Sequence, residues 1–251
     1  MGLLGGGGGI IAVPLLIALG LTIREASTAS LVVVGLGALA GLIPHHLARR
    51  VDWRIGITFG LLGAVGAIVG ARLGVSVNPS VVAVTFPVLL VAATFAMFRS
   101  ARKERMLAAE QAAGDAKPPA DETAPAHIKS WPLTIVLATG IGLVTGFFGV
   151  GGGFIVVPAL VTAIKMPVRR ATATGLVVIA INSGVALIAR HGSEPAWRIT
   201  LTMAAATAAC TVVGALLSRR IPGWMLSAAF GALTLAITVY TVARLFLVDI
   251  K

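Results

Sequence analysis

Residues 2–14 read GLLGGGGGIIAVP, and residues 146–158 read GFFGVGGGFIVVP. Eight of these 13 positions are identical at an offset of 144: Gly2/Gly146, Gly5/Gly149, Gly7/Gly151, Gly8/Gly152, Gly9/Gly153, Ile11/Ile155, Val13/Val157 and Pro14/Pro158. The match continues downstream. Trp53-Arg54-Ile55 returns as Trp197-Arg198-Ile199, and Val69-Gly70-Ala71 as Val213-Gly214-Ala215. Between them, the run from Ala26 to Leu31 resembles that from Ala171 to Leu176 after a one-residue shift. Agreement in separate places along one offset marks an internal duplication.

The material being duplicated is apolar. Hydrophobic residues make up 57% of the 251 and charged residues only 12%, with a mean hydropathy of +0.98. A soluble domain of this length needs more charge to cover its surface. Uncharged stretches run over 1–23, 26–44, 55–71, 73–98, 130–164, 171–189, 199–218 and 221–243. Most reach or approach the roughly 20 residues that cross a hydrocarbon core as a helix. Trp53, Trp131, Trp197 and Trp224 stand at the ends of these stretches, where an indole prefers the membrane interface. The fold class expected is therefore all-α: a polytopic membrane protein of two homologous halves, with about seven or eight segments and lipid as its surroundings.

The net charge of +11 does not point to nucleic acid. The basic residues sit in short loops between apolar stretches, as the positive-inside bias places them, and no stripe joins them to stacking aromatics. The one cysteine, Cys210, excludes an intrachain disulfide. The start lacks a basic n-region, so a cleavable leader is not expected.

The halves are read as 1–98 and 131–251. Between them, 99–130 is basic and contains Pro118, Pro119 and Pro125; it reads as a helical extension over 99–112 followed by a cytoplasmic linker. The second glycine tract is preceded by the apolar run 132–145; in the first half only Met1 precedes its counterpart, so the opening arm has no partner there.

Stretch 130–164 is too long for one straight crossing. It either kinks at the glycines, giving parallel repeats, or enters, turns and returns, giving inverted ones. Lys and Arg counts of 13 against 7 for the parallel case and 14 against 6 for the inverted case do not separate them. Length favours the inverted arrangement, with each half opening on a glycine-broken helix.

A helix starting inside the membrane leaves its first N–H groups unpaired and partly positive. Glycine lets an anion approach that backbone. The groups around Gly7, Gly8 and Gly9, and around Gly151, Gly152, Gly153 and Phe154, are candidate anion contacts. The competing reading is close helix packing through small residues. No Gly-Lys-Ser/Thr follows, and Ile10 and Phe154 occupy the place a dinucleotide fingerprint needs for glycine. Hydroxyls at Ser27, Thr28, Thr172 and Thr174 could donate to an oxyanion or cap helices. Asn182 and Ser183 lie mid-stretch and want partners, from substrate or from another helix. Their counterparts in the first half fall near Gly37 and Ala38.

All nine carboxylates lie in loops, at stretch ends or in the linker, so a buried proton relay or cation cage is not expected. No metal site, cofactor or catalytic set is expected either: His45, His46 and His191 end stretches with no ligand-spaced acid or thiol beside them.

The doubled glycine tract with its proline, and the Ala171-Thr172-Ala173-Thr174-Gly175-Leu176 run, resemble the sulfite exporter TauE/SafE family of membrane permeases. The resemblance covers the chain apart from the linker. It implies export or uptake of sulfite, a sulfonate such as sulfoacetate, or another small organic anion across a bacterial inner membrane, with export by alternating access the expectation. A passive anion channel and a non-catalytic accessory subunit are the rivals. A permease of this length would work alone or as a homodimer.

Overall fold

The computed structural model describes residues 8–76, 79–112, 131–148, 153–189, 196–218 and 221–248. In chain order the helices are α1 (Gly8–Ala18), α2 (Ile23–Leu47), α3 (Trp53–Ser76), α4 (Pro79–Ala112), α5 (Trp131–Phe148), α6 (Gly153–Thr162), α7 (Val168–Ala189), α8 (Trp197–Leu217) and α9 (Gly223–Val248). Among the described residues there is no strand. Among the described residues, five spans are long and apolar enough to cross a membrane: Glu25–Leu47, Trp53–Gly74, Val168–Ala189, Trp197–Leu217 and Gly223–Thr241. Their 19 to 23 residues match a hydrocarbon core about 30 Å thick. The chain is thus an all-helical polytopic membrane protein. Leu61, Val65, Phe95, Val136, Val213 and Val239, each more than half exposed in the isolated chain, suit a surface facing lipid.

Local chemistry sets the helix ends. Thr22 opens α2: its Oγ1 accepts from the Glu25 N–H at 3.3 Å, and the Glu25 carboxylate accepts from the Thr22 N–H at 2.9 Å. This reciprocal capping box satisfies two of the donors a helix start leaves open. Ser27 and Thr28 therefore lie inside α2, and capping is not their role. Thr172 and Thr174 likewise lie within α7, beyond its first turn. Helix α4 runs unbroken to Ala112 despite Pro87, a length of about 50 Å, so residues 99–112 are the helical extension expected of them.

Glycine contacts give the helix directions. Along α3, Gly66 faces the Thr139 carbonyl of α5, Gly70 faces that of Leu143, and Gly74 that of Phe147. Both chains ascend together, so α3 and α5 are parallel. Gly56 faces Val177, and Gly60 faces Ile181, so α3 and α7 are parallel too. Two helices that run the same way, α5 and α7, require the chain between them to come back. Helix α6 is that return. The directions of α5, α6 and α7 are those of the inverted arrangement, in which the chain enters, turns and returns.

The same contacts run opposite for α2. Gly35 meets Ser183 while Gly41 meets Leu176, so α2 is antiparallel to α7, its sequence counterpart. Helix α2 packs on α8 as α7 packs on α3. Ala26 and Ala29 cluster with Ile199 and Met203, and Gly41 faces Thr211, so that pair is parallel as well. Helices α4 and α9 close the bundle as an antiparallel pair. Thr94 Oγ1 and Thr234 Oγ1 are 2.8 Å apart across their seam, a hydrogen bond that holds helices together in lipid. One side breaks the symmetry: Cys210 on α8, offset by 144 from Gly66, is exposed, and no described helix covers it as α5 covers Gly66.

One end of the bundle is basic. The α2–α3 turn brings Arg49, Arg50 and Arg54 there, α4 brings Arg99, Arg102, Lys103 and Arg105, and the start of α7 brings Lys165, Arg169 and Arg170. Among the described residues, Asp52 links the start of α3 to α7. Its Oδ2 lies 3.0 Å from Arg170 Nη2, both side chains about one-tenth exposed, and its N–H donates to Thr174 Oγ1 at 3.0 Å. This clamp ties the first turn of α7 to the start of α3, 118 residues away.

Two expectations follow. A side chain on Gly66 or Gly142 would strike the carbonyl of Thr139 or Gly63; Gly66→Val or Gly142→Val should cost about 1–3 kcal/mol or more and broaden the size-exclusion peak. Gly140→Ala, which meets nothing within 4 Å, should leave the thermal midpoint unchanged. Asp52→Ala strands a buried guanidinium and should cost about 3 kcal/mol, with Asp52→Ala/Arg170→Leu recovering stability relative to the single variant. Thermal unfolding in detergent, followed by tryptophan fluorescence, measures both.

Candidate functional site

Helix α7 is buried almost all round. Every residue from Ala171 to Ile179 is buried, enclosed by α2 and α3 with α6 against its first half. A helix in that position ought to be apolar throughout. Instead it carries Arg170, Thr172, Thr174, Asn182 and Ser183, each at most 8% exposed. Arg170 and Thr174 are used by Asp52. The other three are not satisfied in this way. Thr172 Oγ1, both Asn182 amide atoms (Oδ1 and Nδ2) and Ser183 Oγ have no hydrogen-bond partner among the described residues.

The chain's own habit makes this informative. A hydroxyl within a membrane helix ordinarily bonds back to the carbonyl four residues earlier. Thr145, Thr162, Thr200, Thr202, Thr211, Thr238 and Thr241 all do so, at 2.6–2.9 Å. Thr172 and Ser183 do not. An unsatisfied polar group in an apolar interior costs about 1–3 kcal/mol, and Asn182 carries two such atoms beside a third on Ser183.

Asn182 sits at the middle of the bundle. It faces Gly63, halfway along α3: a Cβ there would lie 3.1 Å from Asn182 Nδ2, 3.2 Å from its Oδ1 and 3.2 Å from the Ala138 carbonyl of α5. Ser183 faces Gly35, halfway along α2. Glycine at both places leaves room around the polar pair and brings α2, α3, α5 and α7 together there. The first turns of α6 are close by. Val156 and Val157 share one apolar cluster with Ala138, Ile141 and Val178, and Val178 lies one turn before Asn182.

The structure does not bring all the sequence-derived residues together. Thr172 is ten positions from Asn182, about 15 Å along the helix toward the basic end, so one small anion cannot touch both. Ser27 and Thr28 lie near the opposite end, at the start of α2, and both already have interaction partners. Thr174 is committed to the Asp52 N–H. Gly8 and Gly9 begin α1, and Gly153, which is buried, begins α6 with Phe154 next. Gly7, Gly151 and Gly152 lie outside the described residues. Among the cations, Arg169 donates to the Ile221 carbonyl at 2.6 Å, which makes it a brace between α7 and α9. Trp53 Nε1 donates to His46 Nδ1 at 3.3 Å, an interfacial pairing. Among the described residues, no cluster of His, Cys, Asp and Glu could hold a metal.

The Asp52–Arg170 clamp is the residue pair that sequence reading passed over. Its one signal was an acid isolated among Arg49, Arg50 and Arg54.

Known proteins share this chain's sequence over its length. Residues 1–241 match the family model described as sulfite exporter TauE/SafE. A probable membrane transporter protein of Xylella fastidiosa (strain Temecula1) is 30% identical over 250 residues, covering 97% of this chain and 90% of that protein. The probable membrane transporter protein YunE of Bacillus subtilis is 25% identical over 191 residues, covering 72% and 69%. No solved structure matches. With a family match over residues 1–241 and a relative spanning nearly all of it, the chain belongs to the sulfite exporter TauE/SafE family of multi-pass membrane transporters.

Proposed function

We propose that this protein moves a small sulfur-containing or organic anion, sulfite or a sulfonate such as sulfoacetate, out of the cell by alternating access. The observation that carries the reading is the Asn182–Ser183 pair: polar atoms without a hydrogen-bond partner among the described residues, buried where four helices meet. An amide N–H and a hydroxyl supply neutral donors to a sulfonate or carboxylate oxygen. The start of α6 at Gly153 adds backbone donors and a partial positive charge, and the start of α1 at Gly8 offers the same from the other half. Stepping one turn from Val178 to Asn182 along α7, and one turn back from Val157 to Gly153 along antiparallel α6, moves both about 6 Å the same way. That supports a shared level for the two groups. No acidic side chain stands mid-span, which suits an anion.

In this reading Gly7, Gly8, Gly9, Gly151, Gly152, Gly153 and Phe154 contribute backbone contacts, and Asn182 and Ser183 contribute side chains. Thr172 and Thr174 line the approach from the basic end, and Ser27 and Thr28 the approach from the other. Residues 1–98 and 131–251 are the two rocking repeats, and 99–130 joins them on the cytoplasmic side. That side follows from the excess of Lys and Arg at the basic end.

Purified protein in proteoliposomes should take up sulfite or sulfoacetate saturably, with competition between them and less flux for taurine or a plain carboxylate. Absence of flux for every sulfur anion, from folded protein, would overturn the cargo. Linear flux without counterflow would make it a channel.

Asn182→Ala separates a substrate contact from a structural one. Losing a donor to a bound anion should lower kcat/KM about tenfold or more. Because the amide has no hydrogen-bond partner among the described residues, the thermal midpoint should stay level or rise. A fall in the midpoint with transport intact would show that Asn182 only supports the fold.

A further inference from the structure

At the basic end, beside the C-terminal half of α4 and the turn from α6 to α7, lies a cavity of about 390 Å³. Its polar lining is Arg99, Ser100, Lys103, Glu104, Thr162 and Lys165. Three cations face one carboxylate, and that carboxylate is drawn elsewhere. Glu104 Oε2 accepts from Ser227 Oγ of α9 at 3.5 Å and lies 3.1 Å from where a Cβ on Gly223 would be. Arg99, Lys103 and Lys165 form no ion pair among the described residues.

Two features of this cluster run against local preference. Arg99 and Lys103 are four apart on α4 and so project from one face, where like charges repel. Lys165 has φ of +59°, a left-handed conformation that residues with a Cβ rarely adopt. The equivalent turn between α1 and α2, at an offset of 145, has Gly20 there with φ of +93°. One half thus uses the residue the conformation favours. The other sets a lysine in the same conformation, and its side chain lines the cavity opposite Arg99 and Lys103.

The geometry points to an anion-binding site in this cavity, built by Arg99, Lys103 and Lys165 for a tetrahedral oxyanion of the sulfate, sulfonate or phosphate type. The oxyanion bridges α4 to the α6–α7 turn and relieves the repulsion among the three cations. Ser100 supplies a hydroxyl contact. The ligand is a free anion or the headgroup of an anionic phospholipid at the membrane surface; the chemistry is the same. This site stands about a membrane leaflet from Asn182 and does not depend on the midplane reading.

The test uses the full chain purified in neutral detergent and delipidated. Sulfate and glycerol phosphate are titrated by calorimetry, and nanodiscs of phosphatidylglycerol are compared with nanodiscs of phosphatidylcholine by native mass spectrometry. Binding of sulfate or glycerol phosphate that weakens with ionic strength identifies a free-anion site. Retention of phosphatidylglycerol alone identifies a headgroup site. In either arm, Arg99→Gln/Lys103→Gln/Lys165→Gln should lower affinity about tenfold, since exposed charges contribute modestly one by one. Lys165→Gly should weaken binding about threefold while holding or raising the thermal midpoint, an effect that a merely structural lysine would not produce. Asn182→Ala should leave this binding unchanged, which keeps the two sites' tests apart. Failure of all these probes to bind, or binding undiminished in the triple variant, overturns the proposal.

Discussion

Helices α3 and α5 lie so close that their backbones touch through Gly63, Gly66, Gly70, Gly142 and Gly146. In lipid there is no hydrophobic force between helices, and association depends on such surface matching. Because the contact is made in parallel, it fixes more than one pair. Helix α5 has to point the same way as α3 and α7, the chain has to come back between α5 and α7, and α6 has to begin within the bundle. A helix beginning there has unsatisfied N–H groups at its start, which hydrocarbon does not tolerate unless protein or an aqueous cavity receives them. The glycine seam thus places the start of α6 within the bundle.

Helix α7 receives the consequences. Enclosed by α2, α3 and α6, it carries five polar residues that are each at most 8% exposed. Two of its polar side chains are spent on position: Arg170 and Thr174 hold Asp52 and register α7 against α3. Asn182 and Ser183 have no hydrogen-bond partner among the described residues. The difference between the two pairs lies in their partners, and residue type alone does not reveal it.

The repeats are alike in path and unlike in chemistry. Helix α2 has Gly37 and Ala38 where α7 has Asn182 and Ser183. The α1–α2 turn has Gly20 where the α6–α7 turn has Lys165. Polar and charged groups have accumulated in the second half, while the first half supplies the smooth glycine surfaces, Gly35 and Gly63, that face them.

The sequence by itself determined the class, the spans and the duplication. Hydropathy and length are local quantities, and a repeat is visible in any sequence that retains it: Gly5–Pro14 against Gly149–Pro158 was enough. It also singled out Asn182 and Ser183, because a polar residue within an apolar span is conspicuous. It did not reveal that Thr172 and Asn182 are too far apart to share a ligand, or that Ser27 and Thr28 lie at the other end of the bundle. Nor could charge counts choose between parallel and inverted repeats. Those answers depend on which helices lie side by side and in which direction, and only tertiary contacts carry that information. The Asp52–Arg170 clamp joins residues 118 positions apart, and the cavity joins α4 to the α6–α7 turn. Packing decided both, because the partner of a polar group in a membrane protein is set by helix adjacency rather than by nearness in the chain.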